Sequence, residues 1–264
     1  MRVFVESVGI LAPGLAGWAA SRAVLAGTAP YRASALQLPS LDVLPAVERR
    51  RTGLPVKLAI AVGQDALVGS ARSGAELPTV FTSSGGDGEI IQEICVTLAG
   101  TERQVSPTRF HNSVHNAPSG YWGIAMQSRA PSTSLCAFDW SFTAGLIEAA
   151  TQASVAADAV LMIAYDLPYP EPLRGVHPVS APFGAALLLT RDRDSRSIAG
   201  LELVVNRDRS RTSRHDDAGL ESLRRGNSSA RGLPLLAALA RQRPDDVVLE
   251  YVAGNMIDVA VSPC

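Results

Sequence analysis

The most constraining stretch of this sequence runs from Pro131 to Tyr165. Ala159 to Tyr165 is wholly apolar and β-rich, and a strand that reads apolar throughout must be covered on both faces. Ser141 to Ala157 precedes it with Phe142, Leu146, Ala149 and Ala150 at helical spacing, and Pro131 to Leu135 reads as another strand, ending at Cys136. Strand, sharp turn, buried helix and strand make a βαβ unit, which commits the chain to the α/β class.

The flanking sequence extends the same alternation. Val3 to Ile10 predicts a strand stopped by Ala12-Pro13-Gly14, followed by a helix from Trp18 to Leu25. Val56, Ile60, Gly63 and Leu67 mark a buried helix over 56–68, with Arg49-Arg50-Arg51 as its solvated approach. Leu77 to Thr82 reads as a strand, Ser83 to Gly88 as a glycine-rich turn, and Glu89 to Leu98 as a helix. Asn112 to Trp122 suits a helix broken near Pro118-Ser119-Gly120. After a proline-rich excursion over 168–182, Phe183 to Thr190 gives a further strand. Arg191 to Arg196 and Asn206 to Asp217 are polar and charged, which predicts exposed or partly disordered loops. Leu233 to Leu239 reads as a helix, and Val247 to Val252 and Met256 to Val261 as strands pairing around Gly254-Asn255.

The bulk properties exclude several classes of function. With 24 basic and 25 acidic residues the chain has no net field to gather polyanions, so nucleic acid is not an expected partner. Lys57 is its single lysine, an asymmetry that fits coding bias rather than recognition. Cys95, Cys136 and Cys264 are an odd set with no close pair, which points away from a disulfide framework and from a zinc cage, and toward a reducing cytoplasm. The apolar N-terminal stretch is interrupted by Glu6 and Pro13, so it reads as strand and helix rather than as a signal peptide. No apolar run is long enough to predict a membrane span.

Chemistry concentrates at a few residues. Cys136 sits where a strand meets a helix, a position at which unpaired N–H groups and the helix dipole favour a thiolate. The competing reading is a buried small hydrophobe. His111 and His115 lie four apart, as two ligands on one helix face would, yet the glutamate of a His-Glu-x-x-His motif is missing and no third ligand is near, so no metal is expected. His177, among prolines, and His215, in a charged loop, have no visible acid partner and read as surface residues. Gly85, Gly86 and Gly88 match neither a Walker loop nor a dinucleotide fingerprint, and Asp87 would repel an anion, so tight backbone packing is expected there and no cofactor.

Ser106-Pro107, Asn116 and Gly120, followed by Ala130-Pro131-Ser132-Thr133-Ser134-Leu135-Cys136-Ala137, resemble the ketosynthase stretch in which a helix carrying Asn-x-x-x-Gly precedes a strand ending in Thr/Ser-Ala-Cys-Ala. Cys136 falls on the nucleophile position of that pattern. The resemblance continues through Gly145 and Ala149-Ala150, through Ala157 to Leu161, and to Phe183-Gly184-Ala185-Ala186, where the family has Phe-x-x-x-Gly-x-Gly-Ala. Arg2-Val3 to Pro13 is similar to its first strand. The likeness implies a thiolase-like α/β fold with αβα layers and a mixed, mostly parallel sheet, formed as a single half that lacks most of the second. Residues 1–190 would be that half and 191–264 a short extension with an exposed loop at about 191–217, packed on the same domain.

The departures from the family define the functional expectation. Phe138, Asp139 and Trp140 stand where synthases carry small residues, which would crowd an acyl tunnel and set a carboxylate beside the thiol, disfavouring the thiolate. The two histidines and the lysine that drive decarboxylation in a synthase's second half have no counterpart, since after Phe183 only His215 is present and no lysine follows Lys57. Phe110 to Asn116 resembles the short ketosynthase-like proteins of aryl polyene and xanthomonadin-type pigment pathways, many of which have serine in place of the cysteine. That resemblance implies a chain-length factor paired with a complete β-ketoacyl-ACP synthase, with acyl carrier protein delivering the chain. The strand holding Thr133 and Ser134 would then lie at the subunit interface, and His111, His115, Phe138 and Trp140 would shape a pocket wall. A stand-alone acyltransferase or thioesterase using Cys136, with His111 or His115 as base, is the alternative, and a structural homodimer a third.

Overall fold

The computed structural model describes residues 1–101, 103–207 and 211–264. In chain order the elements are β1 (Arg2–Ala12), β2 (Leu15–Ala16), α1 (Trp18–Leu25), α2 (Ala46–Arg51), α3 (Leu54–Val68), β3 (Thr79–Thr82), α4 (Gly88–Ala99), α5 (Pro107–Asn112) and α6 (Ala117–Met126). The chain continues through β4 (Ser132–Leu135), α7 (Ser141–Val155), β5 (Ala159–Asp166), α8 (Leu173–Val176), β6 (Phe183–Thr190), β7 (Ala199–Asn206), α9 (Ala218–Gly226), α10 (Leu233–Arg241), β8 (Asp245–Glu250) and β9 (Met256–Pro263). The strands form one sheet in the order β4-β3-β5-β6-β1-β7-β9-β8, with β2 paired to β1. Residues 191–264 add β7, β9 and β8 to this sheet.

Two apolar layers flank the sheet. Alternate residues of β5 divide between them: Val160, Met162 and Ala164 face the side covered by α7 and α10, whereas Leu161, Ile163 and Tyr165 face the side covered by α3 and α6. β6 divides likewise, with Leu187 and Leu189 on one face and Ala186 and Leu188 on the other. Each fully buried leucine or isoleucine here contributes roughly 1.5–3 kcal/mol relative to exposure. Glycines let the layers approach: a Cβ on Gly63 in α3 would stand 2.6 Å from Trp122 and 2.8 Å from Ile163, and one on Gly145 in α7 would stand 2.6 Å from Thr82.

The α/β, αβα organisation agrees with the sequence, but the sheet is not mostly parallel. β3 pairs parallel with β4 and β5, while β5–β6, β6–β1, β1–β7, β7–β9 and β9–β8 are antiparallel. Apolar continuity reports coverage on both faces and carries no information about strand direction, so β1 and β6 read like parallel strands without being so. The helix expected over 112–122 breaks earlier, between Asn112 and Ala117. Pro118 instead lies in the first turn of α6, where its missing N–H removes no helical bond.

Residues 208–210 lie outside the described residues, and the expectation of an exposed loop over 206–217 falls partly on them. The remainder of that segment is tied down. Ser213 N–H donates to the Val248 carbonyl at 2.9 Å, its hydroxyl accepts the Val248 N–H at 2.9 Å, and Asp217 caps α9 by accepting from Gly219 and Leu220. His215, expected at the surface, is buried. Its Nδ1 accepts the Asp217 N–H, and burial lowers its pKa. β7 was not anticipated either, although Ala199, Leu201 and Leu203 alternate with exposed Glu202 and Val204.

Candidate active site at Cys136

Three strand ends converge at one edge region of the sheet. β3 and β4 end together, Thr82 opposite Leu135, and β5, whose Ala164 pairs with Thr82, runs on to Asp166. Beyond β4 the chain passes through Cys136 into a short 3₁₀ turn, Phe138–Trp140, and then α7. Ser141 shapes the bend: its hydroxyl donates to the Phe138 carbonyl at 2.6 Å and accepts the Ala137 N–H at 3.0 Å. Phe138 takes a left-handed conformation, φ 52°, which a bulky residue adopts only under such constraint.

This turn exposes Cys136, so the thiol is not a buried hydrophobe. As a thiol, its Sγ donates to the Ser84 carbonyl at 3.0 Å. His115, whose Nε2 lies 3.3 Å from the neighbouring Ser83 carbonyl, and the Phe138 backbone both stabilise the thiolate form. His115 lowers the thiol pKa, with burial and the Asp166 charge opposing it, and Cys136 in turn raises His115. Each partner therefore favours the other's charged form, the mutual bias that turns a cysteine into a nucleophile. Asp139 does not lie against the sulfur: it accepts from the Ser228 hydroxyl at 3.1 Å and sits 4.0 Å from Arg231. The expected acidic brake on the thiolate comes instead, more weakly, from Asp166.

Beneath the thiol, Asp166 is buried and accepts five hydrogen bonds, from Ser83 Oγ, from Ser84 N and Oγ, and from Ser229 N and Oγ, at 2.6–3.0 Å. Burial pushes its carboxyl up while these donors push it back. The network clamps the Ser83-Ser84-Gly85-Gly86 loop against β5 and the 229–232 turn. Ser83 Oγ accepts the Gly86 N–H at 3.0 Å, and Asp87 caps α4 by accepting from Ile90 N. The loop's amides thus point inward, which explains why the glycines serve packing rather than an anion. A Cβ on Gly85 or Gly88 would collide with the Tyr169 ring, and Gly86 has φ +72°.

His177, expected at the surface, belongs to this site. Its Nε2 lies 3.0 Å from the Ser84 hydroxyl, and its ring packs on Phe138 with centroids 4.1 Å apart. Tyr169 stands behind it at 5.5 Å, its hydroxyl pushed up to about 12 by burial and 3.2 Å from Ser84 Oγ. The proline-rich excursion after β5 carries both residues, and no periodic pattern marked them.

The other sequence candidates scatter. His115 occupies the break between α5 and α6, 3.3 Å from the Ser83 carbonyl. His111, in α5, instead lines a groove of about 520 Å³ with Glu48, Phe110, Val114, Tyr121 and Ile124, so the two histidines do not share one helix face. Thr133 in β4 accepts from Gln152 at 3.0 Å, Ser134 Oγ is buried with no partner among the described residues, and Trp140 is half-buried at the start of α7. Among the described residues no cluster of three or more His, Cys, Asp or Glu could hold a metal, and no helix is long and apolar enough to cross a membrane.

A central mixed sheet between helical layers, with a cysteine presented at the strand-to-helix turn after β4, defines a thiolase-like α/β protein. Residues 18–244 match the family model of the β-ketoacyl synthase N-terminal domain, and the chain belongs to that family. No curated protein matches the sequence. Among solved structures, the chain is similar to one from a ketosynthase (ApeO) in complex with its chain length factor (ApeC) from Xenorhabdus doucetiae, with TM-score 0.75, 22% identity, and 98% of this chain and 99% of that chain covered. It is similar to a chain of AntDE:AntF, a type II polyketide synthase acyl-carrier protein in complex with its ketosynthase bound to the hexaketide, with TM-score 0.75, 12% identity, and 100% and 99% covered. The ishigamide ketosynthase/chain length factor gives TM-score 0.70 at 13% identity over 99% of both chains. At these identities the likeness is one of fold.

Proposed function

We propose that this chain is a chain-length-factor-type subunit that pairs with a complete β-ketoacyl-ACP synthase in the cytoplasm, in polyene biosynthesis of the aryl polyene kind. The observation that carries the reading is an unpartnered face beside the thiol. β4 is the last strand of the sheet and, among the described residues, pairs only with β3. α6 packs beside β4, and Phe110, Val114 and Ile124, which line one groove with it, stand 66%, 49% and 45% exposed. An open strand edge and a cluster of exposed apolar side chains are costly to leave in water and are features of surfaces that meet a partner.

The site supports the division of labour. It holds a thiol and two histidines but no lysine, because the single lysine, Lys57, lies in α3. The partner would supply condensation, acyl carrier protein would deliver the growing chain, and Phe138, Trp140 and His115, around the thiol, would form the wall that limits its length, whereas His111 lines a separate groove. Reconstituting the pair with Trp140→Ala tests this: longer products are expected, and an unchanged length distribution would refute a measuring role.

The placement of His115 beside Cys136, where it lowers the thiol pKa, favours a second reading, acyl transfer on the chain's own thiol. The thiolate would attack a thioester carbonyl to form the enzyme–acyl C–S bond, and the departing thiol would take its proton from His115. Intact-mass measurement after incubation with acyl-carrier-protein thioesters decides it: an acyl adduct lost in Cys136→Ala supports transfer, and an unmodified thiol refutes it.

A further inference from the structure

Two residues past Cys136, Phe138 holds a left-handed conformation at φ 52° although its side chain is bulky and 46% exposed. Such a conformation is costly for any residue but glycine and persists only where the surroundings over-determine it. Gln127 and Gln242 adopt the same region as the caps of α6 and α10, where helices commonly end on a left-handed residue. Phe138 opens a turn instead, so no helix end accounts for it. Its backbone is held on one side, where the Ser141 hydroxyl donates to the Phe138 carbonyl. Its ring is held on the other, against the half-buried imidazole of His177, with centroids 4.1 Å apart and planes inclined by 35°.

His177 is in turn fixed from its other side. The buried carboxylate of Asp166 accepts the Ser84 hydroxyl at 2.7 Å, so that hydroxyl has spent its proton and meets His177 Nε2, 3.0 Å away, with a lone pair. Nε2 therefore carries the proton and donates. A line of contacts runs from the end of β5 through one hydroxyl and one imidazole to the Phe138 ring. At its far end the Phe138 backbone stabilises the Cys136 thiolate, while the carbonyl of the same Ser84 accepts the thiol hydrogen bond at 3.0 Å. We propose that His177 is a positioning residue for Cys136: its ring, set by Ser84, clamps Phe138 in the left-handed turn that keeps the Phe138 backbone beside the sulfur. The assignment concerns the thiol alone and holds whether Cys136 carries an acyl group or stays unmodified beside a partner.

The test is the pH profile of iodoacetamide alkylation at Cys136 in the full chain, read by peptide mass. An aromatic pair of this kind contributes a factor of roughly two to ten. In His177→Ala the rate near neutral pH should fall by about that factor and the midpoint should move to higher pH. The plateau above the midpoint, where every thiol is ionised, should stay at the parent's value, which a change in mere accessibility would not allow. His177→Phe keeps a ring against Phe138 and should return the midpoint most of the way. Phe138→Gly enters the left-handed region readily, so in that background His177→Ala should leave the profile unmoved, a coupling that a general loosening of the loop would not produce. An unmoved midpoint in His177→Ala, no recovery in His177→Phe, or equal shifts in the parent and Phe138→Gly backgrounds would each overturn the assignment. Iodoacetamide needs neither acyl donor nor partner, so this outcome is independent of the intact-mass and product-length assays that decide the function.

Discussion

Replacing Asp166 should unfasten both the fold and the site. Its carboxylate is fully buried and receives two backbone N–H groups, Ser84 at 2.8 Å and Ser229 at 3.0 Å, together with three serine hydroxyls. In Asp166→Ala the two amides lose their acceptor where water is excluded, and each unsatisfied buried donor costs about 1–3 kcal/mol. The Ser84 hydroxyl has other partners in Tyr169 and His177, whereas Ser229 Oγ, in a residue with no exposed surface, has none besides Asp166 among the described residues. Removing the buried charge recovers some desolvation, so a net loss of about 3–5 kcal/mol is expected, a large part of the 5–15 kcal/mol typical of a domain. Asp166→Asn retains one carbonyl acceptor and should lose roughly half as much. Urea denaturation would read the loss as a lower midpoint at constant slope. Because the Asp166 charge raises the Cys136 thiol, Asp166→Asn should also lower that pKa further, making alkylation faster in mildly acidic buffer. Variants within about 1 kcal/mol of the parent would refute the clamp.

Three further outcomes follow from the geometry. In His115→Gln the thiol loses the contact that most lowers its pKa, so the pH profile of iodoacetamide alkylation at Cys136 should move to higher pH; an unmoved profile would exclude His115 as activator. Gly63→Ala puts a methyl group 2.6 Å from Trp122 and should cost about 1–3 kcal/mol in urea unfolding, since the overpacked α3–α6 seam cannot yield on both sides. Phe110→Asp, on a side chain 66% exposed, should leave the isolated chain's stability within about 0.5 kcal/mol while weakening association with a ketosynthase partner roughly tenfold or more, measured by biolayer interferometry; equal binding would remove α5 from the interface.

What the sequence disclosed follows the range of its signals. β5, α7 and α1 were legible because burial imposes a period on contiguous residues, and Trp18–Leu25 reads as α1 from periodicity and the following Gly27 alone. Strand direction was not legible, since β6 packs between the same helical layers whichever way it runs. The exposed strand-to-helix turn at Cys136 was legible because strand, thiol and helix adjoin in sequence. Its partners were not. His115 and His177 reach the thiol's surroundings from two irregular segments, one a helix break and the other a proline-rich loop, neither of which has a period to read.

The identity of those segments bears on how such a site could come to exist. After Phe183 the sequence holds only His215, which is buried against Asp217 and Glu221. Two imidazoles from before Phe183 stand near the thiol instead: His115, 3.3 Å from the Ser83 carbonyl, and His177, at the hydroxyl of the serine whose carbonyl accepts the thiol hydrogen bond. Asp166 lies one serine away from both, accepting five neutral donors. On the proposed reading, the thiol would hold an acyl chain that a partner synthase extends, so that retention and extension would fall to different subunits, the separation a length-measuring partner requires.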